Sequence, residues 1–463
     1  MQKNANQYSA LETEHNNGYR RINSTELPQM EAYCTRYKEF LSASRTERTT
    51  VANAIRLAES QGFRPYEAGT ELKPGDRVYL NNRGRSMCLA VIGREPLSKG
   101  AAIVAAHIDS PRLDIRPRPL FENNEIAYLR THYYGWLRKY QWVALPLMLQ
   151  GVVILRSGET ISVSIGDRPE DPKFVVTDLL PHISGEQNKL PLSEAHRGEA
   201  MNILIASNPL EDCDETKAVK LRALDLLHSK YGITEDDLIS AELEAVPALP
   251  VSDVGLDRSL IGAYGHDDRV CAYAALDALL SVEIPNRTAV CILADKEEVG
   301  NNGVSGMCSS AFDYFLEDLC QAQGCSLSRC YRNSFCLSAD VTAAYDPNYA
   351  DAFEAQNSAH INRGIAVCKY TGFRGKEQAS DASAELMAYA RKLFDDNGVL
   401  WQSAEMGKID LGGGGTVALE LANRGVDTLD AGVAVLSMHS PFETVSKLDC
   451  YMTYKACKVL YES

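Results

Sequence analysis

Histidine and acidic residues follow several apolar, strand-like runs of this sequence, and these residue types bind metal ions. The run at 289–294 is followed by Asp295-Lys296-Glu297-Glu298, and the run at 101–106 is followed by His107. In an open α/β sheet, ligands bind just outside the carboxyl ends of the strands. The residues found at such strand ends or in tight turns are His107, Asp267, Glu297, Glu298, Asp340 and His439. We predict that they meet at one edge of a sheet.

Two imidazoles and several carboxylates form a ligand set suited to Zn²⁺, and also to Mn²⁺ or Co²⁺. Two metal ions about 3.5–4 Å apart need one bridging carboxylate and further protein ligands on each ion. We predict Asp267 as the bridge. The other predicted ligands are His107, Glu298, Asp340 and His439.

This assignment leaves Glu297 free. Side chains alternate along an extended chain, so Glu297 and Glu298 cannot both face the same way. Glu297 can therefore act as the general base that takes a proton from water and passes it to the leaving amine. Asp109 follows His107 by two residues and can hydrogen-bond its imidazole, which would fix the tautomer.

Each of these residues, taken alone, also has an ordinary structural interpretation. Glu297-Glu298 can be a solvated acidic turn, a strand-end histidine can be a core or surface residue, and Asp267-Asp268 can cap a helix. The glycine run at 412–415 can be a tight turn that needs positive φ, or a place where the backbone approaches a substrate closely. The joint pattern favours the metal site.

Composition limits the function classes. The formal net charge is −15, which argues against nucleic acid and against an anionic membrane as partners. We find no apolar run of the roughly 18 residues that a transmembrane helix needs, and no signal peptide. The 13 cysteines are an odd number scattered through apolar segments, so we expect reduced thiols in a cytoplasmic protein.

Alternating apolar runs and amphipathic segments predict an α/β fold. Between residues 117 and 246 the pattern changes to polar–apolar alternation with frequent Pro and Gly, which is typical of an antiparallel, β-rich insertion. We therefore predict a discontinuous catalytic domain of residues 1–116 and 247–463. Helices are predicted at 29–42, 46–61, 216–231, 270–280, 380–394 and 445–461, and the last strand at 429–438.

Five motifs carry a resemblance to the aspartyl aminopeptidase family of dinuclear-zinc exopeptidases. They are Ala106-His107-Ile108-Asp109-Ser110-Pro111, Asp267-Asp268-Arg269-Val270, Asp295-Lys296-Glu297-Glu298-Val299-Gly300, Ser338-Ala339-Asp340-Val341 and Met438-His439-Ser440-Pro441. The resemblance covers nearly the whole chain. It implies a metallo-aminopeptidase that releases N-terminal residues from peptides, built as a mixed-sheet α/β/α domain interrupted by a dimerisation domain.

The resemblance also implies roles for individual residues. His107 and Asp340 would bind one metal, Glu298 and His439 the other, with Asp267 between them. Glu297 would be the proton shuttle and Asp109 would support His107. A cis peptide is expected between Asp267 and Asp268.

Family members commonly assemble as dodecamers built from dimers, in which a histidine of one dimerisation domain helps a neighbouring active site; the nearest match here is His182. A preference for N-terminal Asp or Glu would need a local cation, for which Lys369, Arg374 and Lys376 are candidates. Two alternatives stay open. One is a related deacylase or carboxypeptidase with the same metals, and the other is a catalytically inactive assembly protein.

Overall fold

The computed structural model describes Leu11, residues 16–211, Cys213 and residues 216–463. Residues 1–10 and 12–15 of the predicted first catalytic segment lie outside the described residues. The α-helices of the described chain are α1 Leu27–Ala43, α2 Glu47–Ser60, α3 Leu192–Ala195, α4 Ala218–Tyr231, α5 His266–Ser281, α6 Ala311–Ala322, α7 Leu327–Asn333, α8 Ala384–Asp396, α9 Ala418–Asn423 and α10 Lys447–Glu462.

The strands of the first half are β1 Arg64–Pro65, β2 Arg77–Asn82, β3 Ser86–Val91, β4 Ala101–His107, β5 Arg112–Asn123, β6 Ile126–Tyr134, β7 Leu147–Ile154, β8 Thr160–Ile165, β9 Val175–Val176, β10 Ile203–Ala206 and β11 Ala241–Pro247. Those of the second half are β12 Ser252–Val254, β13 Leu260–Ala263, β14 Thr288–Ala294, β15 Phe335–Ser338, β16 Thr342–Ala343, β17 Ile365–Cys368, β18 Trp401–Ser403, β19 Asp427–Gly432, β20 Ala434–Leu436 and β21 Glu443–Ser446.

The largest sheet of the described chain has the strand order β1-β2-β3-β14-β4-β15-β19-β17-β18. Its central strands β14, β4, β15 and β19 run parallel to one another. The flanking strands β3 and β17 pair antiparallel with this centre, so the sheet is mixed.

Both faces of this sheet are covered by helices, which explains why its central strands are apolar throughout. In β4, Ala102, Val104 and Ala106 belong to a core that includes side chains of α1, α2, α5 and α10. The alternate residues Ala101, Ile103 and Ala105 belong to a second core with α6, α7 and α9. The predicted three-layer α/β/α fold class is therefore confirmed.

A separate antiparallel sheet has the strand order β8-β7-β11-β5-β6-β10-β9. It has its own core, which contains the fully buried Trp142 and a side chain of α4, Ala223. The sheet begins at Arg112 and its last strand in sequence ends at Pro247. These bounds lie close to the predicted insertion at 117–246, whose status as a distinct domain stays a prediction.

A small third sheet, of order β12-β13-β21-β20-β16, lies on the carboxyl-terminal part of the chain. The prediction of one last strand at 429–438 is wrong, because β19 ends at Gly432 and the chain crosses to β20 in the third sheet. A side chain at Gly432 would meet the carbonyl oxygen of Asp340 at 2.0 Å, so the crossing needs glycine. Strand β21 then follows.

All six predicted helices are present, with one or both ends shifted. Helix α8 begins at Ala384 rather than 380, because the Ser383 side chain accepts a hydrogen bond from the Leu386 N–H and caps it. All cysteines are free thiols. Among the described residues, no helix combines the length and apolar character that crossing a membrane requires.

Candidate metal centre

Three neighbouring parallel strands bring four of the predicted residues to one edge of the large sheet. His107 is the last residue of β4 and pairs in register with Ala294, the last residue of β14. Glu297 and Glu298 follow β14 directly after a short turn. On the other side of β4, β15 ends at Ser338, just before Asp340. The strand-end argument from sequence therefore holds for the positions of these residues.

Asp267 and His439 reach the same edge from other elements. Asp267 lies at the start of α5, where its backbone is not helical and its peptide bond to Asp268 is cis. His439 lies in the turn between β20 and β21. The buried carboxylate of Glu443 accepts hydrogen bonds from the Asp267 N–H at 3.0 Å and from the His439 N–H at 2.7 Å. Glu443 thus fixes the backbone of both residues.

Asp267 lies between the two imidazoles. Its Oδ1 is 3.2 Å from His107 Nε2, and its Oδ2 is 3.1 Å from His439 Nε2. Asp340 Oδ1 lies on the His107 side, 3.7 Å from Nε2. Glu298 Oε2 lies on the His439 side, 3.4 Å from Nε2. Asp267 thus lies between the two imidazoles. Two sets of donor atoms, His107 with Asp267 and Glu298, and His107 with Asp268 and Asp340, are each close enough together to hold a metal ion.

Glu297 stands slightly apart from this cluster. Its Oε2 is 3.9 Å from His107 Nε2 and its side chain is 15% exposed, against 3% for Glu298. The Asp109 carboxylate accepts hydrogen bonds from the backbone N–H groups of Glu297 and Glu298, each at 3.2 Å. The Asp109 carbonyl oxygen lies 3.0 Å from His107 Nδ1, and its carboxylate 3.4 Å. Asp109 therefore contacts both sides of the cluster.

The electrostatics of the cluster suit a bound cation. Burial raises the pKa of Glu298 and of Asp340, and with neighbouring carboxylates raises the pKa of Glu297 to about 8. Burial lowers the pKa of His439, but Glu298 and Asp267 outweigh it and raise that pKa to about 11. The buried Glu298 Oε1 has no hydrogen-bond partner among the described residues. The residues therefore fit divalent metal ions, which would supply the missing positive charge.

His182 is not part of this cluster. It is exposed in the turn that follows β9, and within the described chain it has no hydrogen bond or ion pair to the other predicted site residues. Of the candidate specificity cations, Lys369 and Lys376 both form ion pairs with Asp381. That segment directly follows Cys368, the last residue of β17, and β17 lies two strands away from β15 in the large sheet.

Three further residues at the site escaped the sequence argument. Asp268 accepts a hydrogen bond from the His107 N–H at 3.3 Å. Tyr134, from the antiparallel sheet, donates one to Asp109 at 2.7 Å. Glu443 accepts hydrogen bonds from the N–H groups of Asp267 and His439. The one sequence signal was their position: Asp268 adjoins a predicted ligand, and Glu443 lies four residues after one.

The glycine run divides into two parts. A side chain at Gly412 would lie 1.9 Å from the Met406 carbonyl oxygen, and Gly413 has φ +108 with the Gly372 carbonyl oxygen 1.6 Å from a built Cβ. Tight packing therefore explains these two glycines. Gly415 is exposed and has nothing within 4 Å, so only there does the backbone offer an open surface.

A mixed-sheet α/β/α fold with histidines and carboxylates gathered at its strand ends has the architecture of a metallopeptidase. A sequence profile described as "Aminopeptidase I zinc metalloprotease (M18)" matches residues 40–461. The chain belongs to this M18 family. It is therefore a metal-dependent aminopeptidase, and the family and the activity expected from the motifs are confirmed.

Relatives in sequence and in structure match this chain over almost its full length. A probable M18 family aminopeptidase 1 of Clostridium acetobutylicum is 44% identical over 448 residues, which cover 95% of this chain and 96% of the relative. A solved M18-family aminopeptidase from Thermotoga maritima has a TM-score of 0.93 at 42% identity, covering 97% of this chain and 100% of the other. A more distant structure, the S. cerevisiae mApe1 dodecamer, shares the fold with a TM-score of 0.76 at 19% identity, covering 93% of this chain and 96% of that chain.

Proposed function

We propose that this aminopeptidase works with two divalent metal ions, zinc in the first place, with Mn²⁺ or Co²⁺ as alternatives. One ion would be held by His107 and Asp340, the other by His439 and Glu298, with Asp267 bridging. The observation that carries this proposal is the position of Asp267, whose two oxygens face different imidazoles at 3.2 and 3.1 Å. Bound metal ions of this kind act as Lewis acids toward a scissile carbonyl and lower the pKa of water.

Glu297 is proposed as the general base and acid of the reaction. Of the six residues predicted to meet at the sheet edge, it is the one that is not assigned as a ligand. Its partial exposure leaves it open to a bound substrate, while the Asp109 carboxylate holds its backbone N–H at 3.2 Å. From this position it can take a proton from the attacking water and deliver it to the leaving amine.

The insertion predicted at 117–246, which forms most of the antiparallel sheet, is proposed as a dimerisation domain, and the assembly as a dodecamer built from such dimers. Support comes from apolar side chains that cluster in sequence around His182 and are about half exposed in the single chain. They are Leu179, Leu180, Ile183, Leu190 and Leu192, with exposures between 47% and 64%. Such an apolar surface is typical of a contact between subunits. His182 would then be brought to a neighbouring active site.

A preference for acidic N-terminal residues is the finer part of the proposal. Lys369, Arg374 and Lys376 lie on the segment that follows β17, where Asp381 already pairs with both lysines. A substrate carboxylate would therefore compete with Asp381 for the same cations. This competition limits the gain that an acidic residue obtains, because exposed ion pairs of this kind contribute only about 0.2–1 kcal/mol.

Metal content and substrate profile test the proposal together. Elemental analysis of purified protein should give about two divalent ions per chain, in line with the two ligand groups. Hydrolysis should be measured on aminoacyl substrates with different N-terminal residues, with Zn, Mn and Co each supplied. N-blocked substrates are the matched control and should not be cleaved. One ion per chain would contradict the binuclear centre, and cleavage of N-blocked substrates would favour a deacylase.

A further inference from the structure

One short segment next to the antiparallel sheet contacts the candidate metal centre through two hydrogen bonds and one close approach of a glycine. This segment, Tyr134-Gly135-Trp136, starts at the last residue of β6. The Tyr134 hydroxyl donates a hydrogen bond to Asp109 Oδ2 at 2.7 Å. The Trp136 carbonyl oxygen lies 2.7 Å from His439 Nδ1. Between them, a Cβ built on Gly135 would lie 3.3 Å from the Cβ of Glu298.

The contact with Trp136 sets the tautomer of His439, one of the proposed metal ligands. A carbonyl oxygen can only accept, so His439 Nδ1 must donate its proton to it. The other ring nitrogen, Nε2, then faces Asp267 and Glu298, at 3.1 and 3.4 Å. In the neutral imidazole its lone pair is the one available to a metal ion. Partners of this kind fix the tautomer and the ring orientation of a metal-binding histidine.

The contact with Tyr134 acts on the other histidine through Asp109. The Asp109 carboxylate receives hydrogen bonds from the Glu297 and Glu298 N–H groups and from the Tyr134 hydroxyl. The Tyr134 bond is the shortest of the three and the only one from a side chain. Burial, followed by the charge of Asp109, raises the pKa of Tyr134 well above its usual value, so the phenol stays protonated and donates.

Tyr134 itself is held from the antiparallel sheet. The guanidinium of Arg112, in β5, lies 3.9 Å from the centre of the Tyr134 ring. Arg112 is almost fully buried and forms ion pairs with Asp114 at 2.7 Å, Glu244 at 3.2 Å and Glu47 at 3.4 Å. Glu244 belongs to β11 of the same sheet, whereas Glu47 belongs to α2 of the large-sheet layer. A buried charged network therefore joins both parts of the molecule to the Tyr134 ring.

We propose that the segment 134–136 is a positioning element through which the antiparallel sheet fixes the metal-binding geometry, and that the Tyr134 hydroxyl is its chief side-chain contact. This inference rests on the metal centre proposed above. Tyr134 acts through Asp109 and does not touch the reacting atoms. Loss of its hydroxyl should leave the ligands present but less well oriented.

The test is Tyr134→Phe, which keeps the ring on Arg112 and removes only the hydroxyl. The matched control is Tyr231→Phe, because Tyr231 packs against the same sheet and its hydroxyl donates to the Ser164 carbonyl at 3.0 Å, away from the site. Both variants are loaded with zinc. Metal release into a chelator is then followed by elemental analysis, with kcat, KM and the thermal midpoint measured on the same samples.

We expect Tyr134→Phe to lose metal about 10-fold faster and to lower kcat by about 10-fold or more, with KM changed much less, as supporting partners of metal ligands commonly show. Tyr231→Phe should match wild type in the rate of metal release and in kcat. Equal metal release in Tyr134→Phe and wild type would overturn the inference, and so would an equal effect in Tyr231→Phe. A wild-type chain that holds no metal after loading would instead refute the proposed metal centre, and this inference with it.

Discussion

Replacing Glu297 with glutamine separates metal binding from proton transfer in the proposed mechanism. The amide has the same shape as the carboxylate but cannot take up a proton at neutral pH. Glu297 Oε2 is 3.9 Å from His107 Nε2, farther than the oxygens of Asp267 and Asp340 at 3.2 and 3.7 Å. The backbone hydrogen bond to Asp109 does not depend on the side chain. The metal content of Glu297→Gln should therefore equal that of wild type.

The expected loss in rate follows from the proposed role of Glu297 as the general base and acid. A positioned general acid–base group contributes about 10²–10⁴-fold to the rate. At about 1.36 kcal/mol for each tenfold, this is about 2.7–5.4 kcal/mol in the activation free energy. Because Glu297 is not a proposed metal ligand and substrate binding does not require its charge, the loss should appear in kcat rather than in KM.

The adjacent residue provides a matched control. Glu298→Gln carries the same substitution one position later, on a side chain that lies 3.4 Å from His439 Nε2 and is almost fully buried. It should lose bound metal together with activity. The assay is steady-state hydrolysis of an aminoacyl substrate beside elemental analysis of the same preparation. Turnover of Glu297→Gln within about threefold of wild type would refute the reasoning, as would metal loss equal to that of Glu298→Gln.

The remaining predictions concern the ligands, the glycine run and substrate preference. His107→Ala and His439→Ala should each lower the bound metal by about one ion per chain, because each removes a ligand of a different ion; full metal content in either would show that its histidine is not a ligand. Gly413→Ala should lower the free energy of unfolding, measured by denaturant titration, by about 1–3 kcal/mol, because φ is +108 and the new methyl would overlap a carbonyl oxygen. Gly415→Ala should change the free energy of unfolding by less than about 0.5 kcal/mol, because nothing lies within 4 Å of the new methyl. Equal effects of the two would contradict the packing account. Asp381→Asn releases two lysines from their ion pairs. It should therefore raise the ratio of kcat/KM for acidic over neutral N-terminal residues by up to about fivefold. An unchanged or lowered ratio would show that these cations do not contact the substrate.

Errors in the sequence-based prediction have local causes. The apolar run at 429–438 looks like one strand because hydrophobicity does not record that the chain changes sheets after Gly432. The predicted helix at 380–394 starts earlier than α8, because Ser383 provides the cap and the Asp381 carboxylate pairs with two lysines instead. The first difference depends on the close approach of Gly432 to Asp340, which is distant in sequence, and the second on the local cap by Ser383.

The strand-end residues of the site can be identified from the amino-acid sequence alone. His107, Glu297, Glu298 and Asp340 follow buried strands, and parallel neighbours in an α/β sheet end at the same edge, so their meeting follows from a local pattern and a general rule.

The surroundings of those residues depend on contacts that form in the fold. Glu443 and Tyr134 belong to no motif, and Asp268 belongs to one only as the neighbour of Asp267. The roles of all three depend on hydrogen bonds to residues as far as 176 positions away in sequence. The charge balance of the cluster also appears only in three dimensions, because burial acts on pKa values only after folding has removed the side chains from water. Residue types and local spacing are written in one dimension, whereas burial and long-range hydrogen bonding exist only in the folded chain.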